Sequence, residues 1–212
     1  MTGERTVRIP CGGIELEGRL FVPPGPGPAP GAVLCHPHPL YGGNQDNNVV
    51  RAVARALQQQ GWATLRFNFR GVGASGGSHG GGDGEQEDVA AALEALVAAE
   101  GVDPGRIALV GYSFGAWAAT EAAAAVGRAR ALVAVAPPLA MYPMEGLARC
   151  RRPRLVVVGD RDGYCPLEAL ERWVSRAEGP LSRVVIPGAD HFFLGREGPL
   201  AGAVARFLNA VA

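Results

Sequence analysis

The chain has 212 residues, 48% of them hydrophobic, and its 20 basic residues balance 20 acidic ones. This length suits a single α/β domain over residues 1–212, and the even charge argues against a nucleic-acid partner. No apolar stretch of the sequence reaches the length that spans a bilayer, so no membrane partner is expected. Four scattered cysteines without metal-ligand spacing and a polar N-terminus favour a cytoplasmic protein.

The predicted elements begin with an antiparallel hairpin, because residues 6–10 and 14–22 alternate apolar and polar side chains. After it, apolar runs of strand length alternate with amphipathic segments of helix length. The predicted strands are 31–35, 62–69, 106–110, 131–136, 155–159 and 183–186, and the predicted helices are 46–60, 85–100, 114–126, 166–176 and 200–211. This order predicts an α/β fold: a mostly parallel sheet of about eight strands, with helices on both faces and one antiparallel edge.

One turn of the chain has the features of a nucleophile elbow. Gly111-Tyr112-Ser113-Phe114-Gly115 joins a predicted strand to an alanine-rich helix. A serine on so sharp a turn projects its hydroxyl above the sheet, and the flanking glycines relieve the crowding. The N-terminus of the helix also offers N–H groups to a developing oxyanion. Taken alone, the pentapeptide fits a serine that only caps a helix equally well.

Polar residues follow four predicted strands at their carboxyl ends, where open α/β sheets bind ligands. In chain order these residues are His36, His38, Ser113, Asp160, Asp162, Asp190 and His191. The order nucleophile, acid, histidine is the one expected for an α/β-hydrolase. His191 is suited to take the proton of Ser113 and return it to a leaving group. Three aspartates compete to orient that histidine: Asp160, Asp162 and Asp190.

The chain resembles the serine α/β-hydrolase superfamily along almost its whole length, and more narrowly a small, lidless, esterase-like branch of it. The resemblance rests on His-Pro-His-Pro-Leu-Tyr-Gly-Gly at residues 36–43, the block at 65–73, the Ser113 elbow and the block at 190–193. It implies an α/β-hydrolase fold and a catalytic triad of Ser113, Asp162 and His191. It favours Asp162 because the acid of the family is the second aspartate after the strand predicted at 155–159.

The resemblance also implies two backbone donors for an oxyanion hole. Phe114, directly after the nucleophile, is expected to supply one N–H group, and His38 the other. Family members usually have glycine at the position of Pro37, which lacks an N–H group. Leu40 is therefore kept as an alternative donor.

The length of one predicted connection indicates that the site lacks a lid. Many α/β-hydrolases insert a helical cap after the sixth strand, but here only residues 137–153 separate two predicted strands. An open, apolar site suits esters with short or medium acyl groups. The side chains expected to bind such a substrate are Leu40, Tyr41, Leu139, Tyr142 and Phe192.

The sequence therefore predicts a serine esterase that acts on a small-molecule ester through an acyl-enzyme intermediate. A triad needs no cofactor and no metal, so none is expected. Alternatives on the same triad are a thioesterase, acyltransferase, peptidase or perhydrolase, because the fold does not decide the substrate. Two further alternatives are a non-catalytic interaction module and a metal-dependent hydrolase that uses His36, His38 and Asp46. Either a monomer or a homodimer fits the sequence.

Overall fold

The computed structural model describes residues 3–211, and describes residues 123–126 by their backbone alone. Its strands are β1 (Arg5–Cys11), β2 (Ile14–Phe21), β3 (Ala29–Cys35), β4 (Ala63–Phe67), β5 (Val102–Tyr112), β6 (Ala131–Val135), β7 (Arg154–Gly159) and β8 (Leu181–Ile186). Its helices are α1 (Asn48–Gln59), α2 (Asp83–Val97), α3 (Phe114–Val126), α4 (Glu145–Arg149), α5 (Leu167–Val174) and α6 (Glu197–Val211). Within the described residues, no helix is both long and apolar enough to cross a membrane.

The eight strands form one sheet in the order β1-β2-β4-β3-β5-β6-β7-β8. β1 pairs antiparallel with β2, and β2 pairs antiparallel with β4. Every other pairing is parallel. The fold class predicted from the sequence is therefore confirmed, including the antiparallel edge.

Helices cover both faces of the sheet, because alternate side chains of each central strand point to opposite faces. On one face, Val33 and Cys35 of β3 belong to the apolar core under α2 and α3. On the other face, Ala32 and Leu34 pack into the core under α1 and α6. This double burial explains why the parallel strands have continuous apolar sequences.

Two element bounds differ from the predicted ones, one because of strand pairing and the other because of helix capping. β5 begins at Val102 because Val102 pairs with Ala29 of β3, ahead of the predicted start at 106. α2 begins at Asp83 because the Glu85 carboxylate accepts the N–H groups of Gly80 and Gly82, at 2.9 and 2.8 Å. The segment between β6 and β7 contains α4 and no cap domain.

Candidate active site

The turn between β5 and α3 holds Ser113 in a left-handed conformation, with φ of 54°. Such a backbone costs about 1–3 kcal/mol in a residue other than glycine, so surrounding contacts must impose it. The Ser113 N–H group donates to the Val135 carbonyl at 2.9 Å. A Cβ atom on Gly111 would lie 2.2 Å from the Gly115 carbonyl oxygen, and one on Gly115 would lie 2.4 Å from that of Cys35. Glycine at both positions is therefore required by close backbone approach.

The side chains of Ser113, His191 and Asp162 form a continuous hydrogen-bonded chain. The Ser113 Oγ and His191 Nε2 atoms are 2.9 Å apart. His191 Nδ1 lies 3.0 and 2.9 Å from the two carboxylate oxygens of Asp162. A carboxylate only accepts hydrogen bonds, so Nδ1 carries the proton and Nε2 presents its lone pair to the serine hydroxyl. This tautomer is the one that a general base facing Ser113 needs.

The three competing aspartates occupy different positions in the structure. Asp160 accepts the Gly188 N–H group at 2.7 Å, and Asp190 accepts the Phe192 N–H group at 2.9 Å. Asp162 is the aspartate that contacts the His191 ring among the described residues. Its Oδ1 atom also accepts the N–H groups of Tyr164 and Cys165, at 2.8 and 3.0 Å, which hold the carboxylate in place.

The loop that carries His191 is tied to two neighbouring elements. The Tyr112 hydroxyl donates to the His191 carbonyl at 2.8 Å, and burial raises the pKa of Tyr112, which keeps this hydroxyl protonated. Asn48 at the start of α1 donates to the Phe192 carbonyl at 3.1 Å. The ring of Tyr164 lies 4.6 Å from the imidazole, centroid to centroid. These contacts fix the orientation of His191 from both sides.

Two backbone N–H groups beside Ser113 are free of protein acceptors. Neither His38 N–H nor Phe114 N–H donates to a protein acceptor in the part of the chain that the structure describes. The alternative donor, Leu40 N–H, is engaged by the imidazole Nδ1 of His38 at 3.2 Å. The centroids of the His38 and Phe114 rings lie 4.7 Å apart, and both residues line the cavity over Ser113. Burial, with the nearby His79, lowers the pKa of His38 and so favours the neutral ring that accepts from Leu40.

The predicted alternative metal ligands do not form one site. Both ring nitrogens of His36 are engaged by backbone groups, since the Phe69 N–H group donates to Nε2 at 3.0 Å and Nδ1 lies 2.6 Å from the Pro37 carbonyl. Asp46 accepts instead from the Arg66 guanidinium at 2.8 Å. In residues 3–211, no three histidine, cysteine, aspartate or glutamate side chains cluster as metal ligands would.

A cavity of about 380 Å³ opens over Ser113 and His191. Its walls are mostly apolar and aromatic, and they include three of the predicted substrate contacts, Tyr41, Tyr142 and Phe192. Leu40 is 67% exposed and lies outside the lining, while Leu139 packs against the core. The other residues that line the cavity are Pro37, His38, Gly42, Gly43, Asn47, Tyr112, Phe114, Pro138, Met141 and Tyr164.

Tyr164 lines the cavity beside the imidazole and is not among the site residues predicted from the sequence. An aromatic residue two positions after the candidate acid was the available signal. The short 3-10 turn at Pro39–Tyr41, which His38 caps and which brings Tyr41 to the cavity, is also not among the predicted elements. Proline at the first position of that turn is a favourable start that the sequence did contain.

Similar proteins of known structure share this architecture. An α/β serine hydrolase homologue from Coxiella burnetii is 36% identical, with a TM-score of 0.87, over 97% of this chain and 98% of that one. A serine hydrolase without a lid from Xanthomonas campestris is 32% identical, with a TM-score of 0.88, over 99% of this chain and 95% of that one. Both comparisons agree with the absence of a cap domain between β6 and β7.

Comparisons of sequence place the chain in a family. An uncharacterized protein of Rickettsia prowazekii is 34% identical over 205 residues, which cover 93% of this chain and 85% of that protein. The family model described as X-Pro dipeptidyl-peptidase (S15 family) matches residues 12–155. That match includes Ser113 and ends before Asp162 and His191. The protein therefore belongs to the α/β serine hydrolases, in the family that the X-Pro dipeptidyl-peptidase (S15) model describes.

Proposed function

We propose that the protein is a serine esterase that hydrolyses carboxylic esters with short or medium acyl groups. The observation that carries the proposal is the hydrogen-bonded chain from Ser113 through His191 to Asp162, at the floor of an apolar cavity. This arrangement matches the geometric requirement for an activated nucleophile: a base within reach of the hydroxyl, and a third group that orients the base.

The reaction follows from the positions of the three side chains. Ser113 Oγ attacks the acyl carbon while its proton moves to His191 Nε2, and the imidazolium is stabilised by the Asp162 carboxylate. His191 then protonates the departing alcohol, which leaves an acyl group on Ser113. Water attacks that ester, with His191 again as the base, and releases the acid and the free serine. No step requires a cofactor.

The oxyanion of each tetrahedral intermediate would be bound by the N–H groups of His38 and Phe114. Both groups lack protein acceptors in the described chain, which supports this role. In other serine hydrolases, removal of one such donor lowers kcat about 10²- to 10³-fold. The proline at position 37 is compatible with this hole because the donor is the following residue.

The lining of the cavity favours a neutral ester over a charged substrate. Among the described residues, none that lines the cavity is Asp, Glu, Lys or Arg. The aromatic walls formed by Tyr41, Tyr142 and Phe192 instead offer apolar surface to an acyl or alcohol group. Leu40 and Leu139 remain part of the proposed binding surface as neighbours of those walls.

A second candidate is a dipeptidyl-peptidase acting through the same triad, which the S15 family match favours. Such a substrate begins with a positively charged α-ammonium group, which is costly to desolvate without a partner of opposite charge. No carboxylate of the described residues lines the cavity to accept that group. For this reason we place the esterase ahead of the peptidase, and thioester hydrolysis or acyl transfer after both.

We further propose that the enzyme acts in the cytoplasm on a small-molecule ester, as a monomer or homodimer, without a nucleic-acid or membrane partner. All four cysteines are free in the structure, which suits a reducing compartment.

The test begins with a fluorophosphonate probe, which needs an activated serine and an oxyanion hole but no particular substrate. We expect a covalent adduct at Ser113 by mass spectrometry, and no adduct in Ser113→Ala or His191→Ala. p-Nitrophenyl esters of graded acyl length and X-Pro-p-nitroanilides would then be compared on the same preparation. Hydrolysis of the anilides without hydrolysis of the esters would show that the protein acts as a peptidase and contradict the proposed esterase activity. A folded wild-type protein that takes up no probe would favour a non-catalytic interaction module.

A further inference from the structure

The buried histidine before the oxyanion loop carries no role in the reaction described above. His36 follows β3 and is inaccessible to solvent, with its ring 4.7 Å from that of Phe69, centroid to centroid. The Phe69 N–H group can only donate, so the Nε2 atom that it contacts at 3.0 Å must be unprotonated. The proton of the neutral ring is therefore on Nδ1, and the 2.6 Å contact with Pro37 is a hydrogen bond donated to its carbonyl.

The carbonyl that His36 holds belongs to the same peptide group as the proposed oxyanion donor. The Pro37 C=O and the His38 N–H share one planar unit, in which the two bonds point in opposite directions. Fixing the oxygen toward His36 therefore fixes the direction of the His38 N–H bond. A hydrogen bond accepted by the carbonyl also polarises the peptide group and strengthens its N–H as a donor.

The returning loop also packs against the carbonyl oxygen of this peptide group. A Cβ atom on Gly43 would lie 2.1 Å from the Pro37 carbonyl oxygen, so only glycine leaves room for it. The Gly43 N–H group donates to the His38 carbonyl at 3.1 Å. The Pro37 carbonyl oxygen thus contacts the imidazole of His36 and the backbone of Gly43, and the next carbonyl, that of His38, is held by the Gly43 N–H group.

We propose that His36 is a positioning residue that orients and polarises the peptide N–H of His38 for oxyanion binding. The proposal rests on the proposed function, since it requires that His38 N–H contact the oxyanion. His36 itself is too deeply buried to contact a substrate. It acts through the Pro37–His38 peptide, while its bond from Phe69 anchors it to the chain just after β4.

Two substitutions separate the two hydrogen bonds of His36. In His36→Asn, the amide nitrogen occupies the position of Nδ1 and retains donation to Pro37, while the bond from Phe69 is lost. In His36→Gln, the amide oxygen reaches the position of Nε2 and retains the bond from Phe69, while donation to Pro37 is lost. Each variant loses one buried hydrogen bond, so each is the stability control for the other.

For His36→Gln we expect kcat on a p-nitrophenyl ester to fall about 10- to 100-fold, with KM changed less than about twofold, because the defect concerns the oxyanion. His36→Asn should retain kcat to within about threefold, at a similar melting temperature. The inhibition constant of an alkylboronic acid, which forms a tetrahedral adduct on the serine, should rise in His36→Gln in parallel with the loss of kcat.

Equal losses of kcat in the two variants, or a larger loss in His36→Asn, would overturn the positioning role and make His36 a structural residue. A wild-type protein that neither takes up the fluorophosphonate nor hydrolyses esters would overturn the proposed function itself. Wild-type activity therefore separates the failure of one proposal from the failure of the other.

Discussion

The role of Asp162 can be tested by replacing its carboxylate with an amide of the same shape. Asp162→Asn keeps an oxygen for the N–H groups of Tyr164 and Cys165, but it can place an NH₂ group opposite His191 Nδ1. That arrangement favours the tautomer with its proton on Nε2, which cannot accept the proton of Ser113. We expect kcat to fall about 10³- to 10⁴-fold with little change in KM, as measured with a p-nitrophenyl ester.

The matched control for this substitution is Asp160→Asn, two residues earlier on the same loop. Asp160 is exposed and accepts only the Gly188 N–H group among the described residues. Its substitution should leave kcat within about twofold of wild type, because the carboxylate does not touch His191. An equal loss of activity in both variants would mean that the loop, and not the triad, had been damaged.

His36 also makes the stability of the protein depend on pH. Burial lowers its pKa to about 4, from 6.5, although the Pro37 hydrogen bond and Glu85 act in the opposite direction. Between these two values the unfolded chain binds a proton that the folded chain excludes. The free energy of unfolding should therefore fall as pH drops from 6.5 toward 4, by up to about 3 kcal/mol from this residue.

Urea unfolding at several pH values would measure this loss. His36→Asn provides the reference, because it lacks the titrating ring while the carboxylates of the protein still titrate. We expect the difference in unfolding free energy between wild type and variant to shrink below pH 6.5. A difference that stays constant from pH 7 to pH 4 would contradict burial of a neutral imidazole.

The turn between β5 and α3 requires glycine at position 115 for its packing, in addition to the serine at position 113 for its chemistry. A Cβ atom on Gly115 would lie 2.4 Å from the carbonyl oxygens of Cys35 and His36, which are backbone atoms and cannot rotate away. Gly115→Ala should therefore push α3 away from the end of β3. We expect a loss of about 1–3 kcal/mol in unfolding free energy by urea titration, together with a lower kcat.

Gly202→Ala tests whether the loss is specific to this turn. Gly202 is the sixth residue of α6, and its added Cβ would lie 3.3 Å from Arg206 Nη1, the far end of a flexible side chain that can move aside. Alanine is favoured over glycine in helices by up to about 1 kcal/mol, so the variant should be as stable as wild type or more so. If Gly115→Ala proved equally harmless, the close packing of the elbow against β3 would be refuted.

Helices and strands could be predicted from the sequence where their bounds are set by residues close to them in the chain. The helix after Ser113 was predicted at 114–126 and lies at Phe114–Val126, because the elbow glycine marks its start. The start of β5 could not be predicted, because Pro104 and Gly105 suggest a turn and only pairing with Ala29 extends the strand. Likewise, the contact of Tyr164 with His191 depends on how two distant loops meet.

At the scale of the whole molecule, the sheet order explains why residues far apart in the chain share one site. β3, β5, β7 and β8 run parallel and end at the same edge. The loops that follow these strands carry His38, Ser113, Asp162 and His191, as the order of the predicted strands indicates. Chain order alone left three aspartates open as the acid. Three-dimensional proximity distinguishes them, because Asp162 reaches the imidazole while the other two bind backbone N–H groups.

The absence of Asp, Glu, Lys and Arg from the described lining of the cavity leads to an expected substrate preference. p-Nitrophenyl butyrate and the p-nitrophenyl monoester of succinic acid share a leaving group and have acyl groups of similar length. The succinate carries a carboxylate that would have to enter a cavity without a Lys or Arg side chain among its described lining residues. Because burying an unpaired charge is costly, we expect kcat/KM to favour butyrate by at least about tenfold, after subtraction of each ester's rate of hydrolysis without enzyme.

A cation placed on the cavity wall should reduce this preference if charge is its cause. Met141 lines the cavity and is exposed, so Met141→Arg can reach an acyl carboxylate without burial of the guanidinium. We expect the ratio of the two kcat/KM values to fall several-fold in this variant and to stay unchanged in Met141→Leu. Comparable rates for both esters in the wild-type protein would argue that the acyl group lies in solvent, and that the aromatic walls bind the alcohol side of the substrate instead.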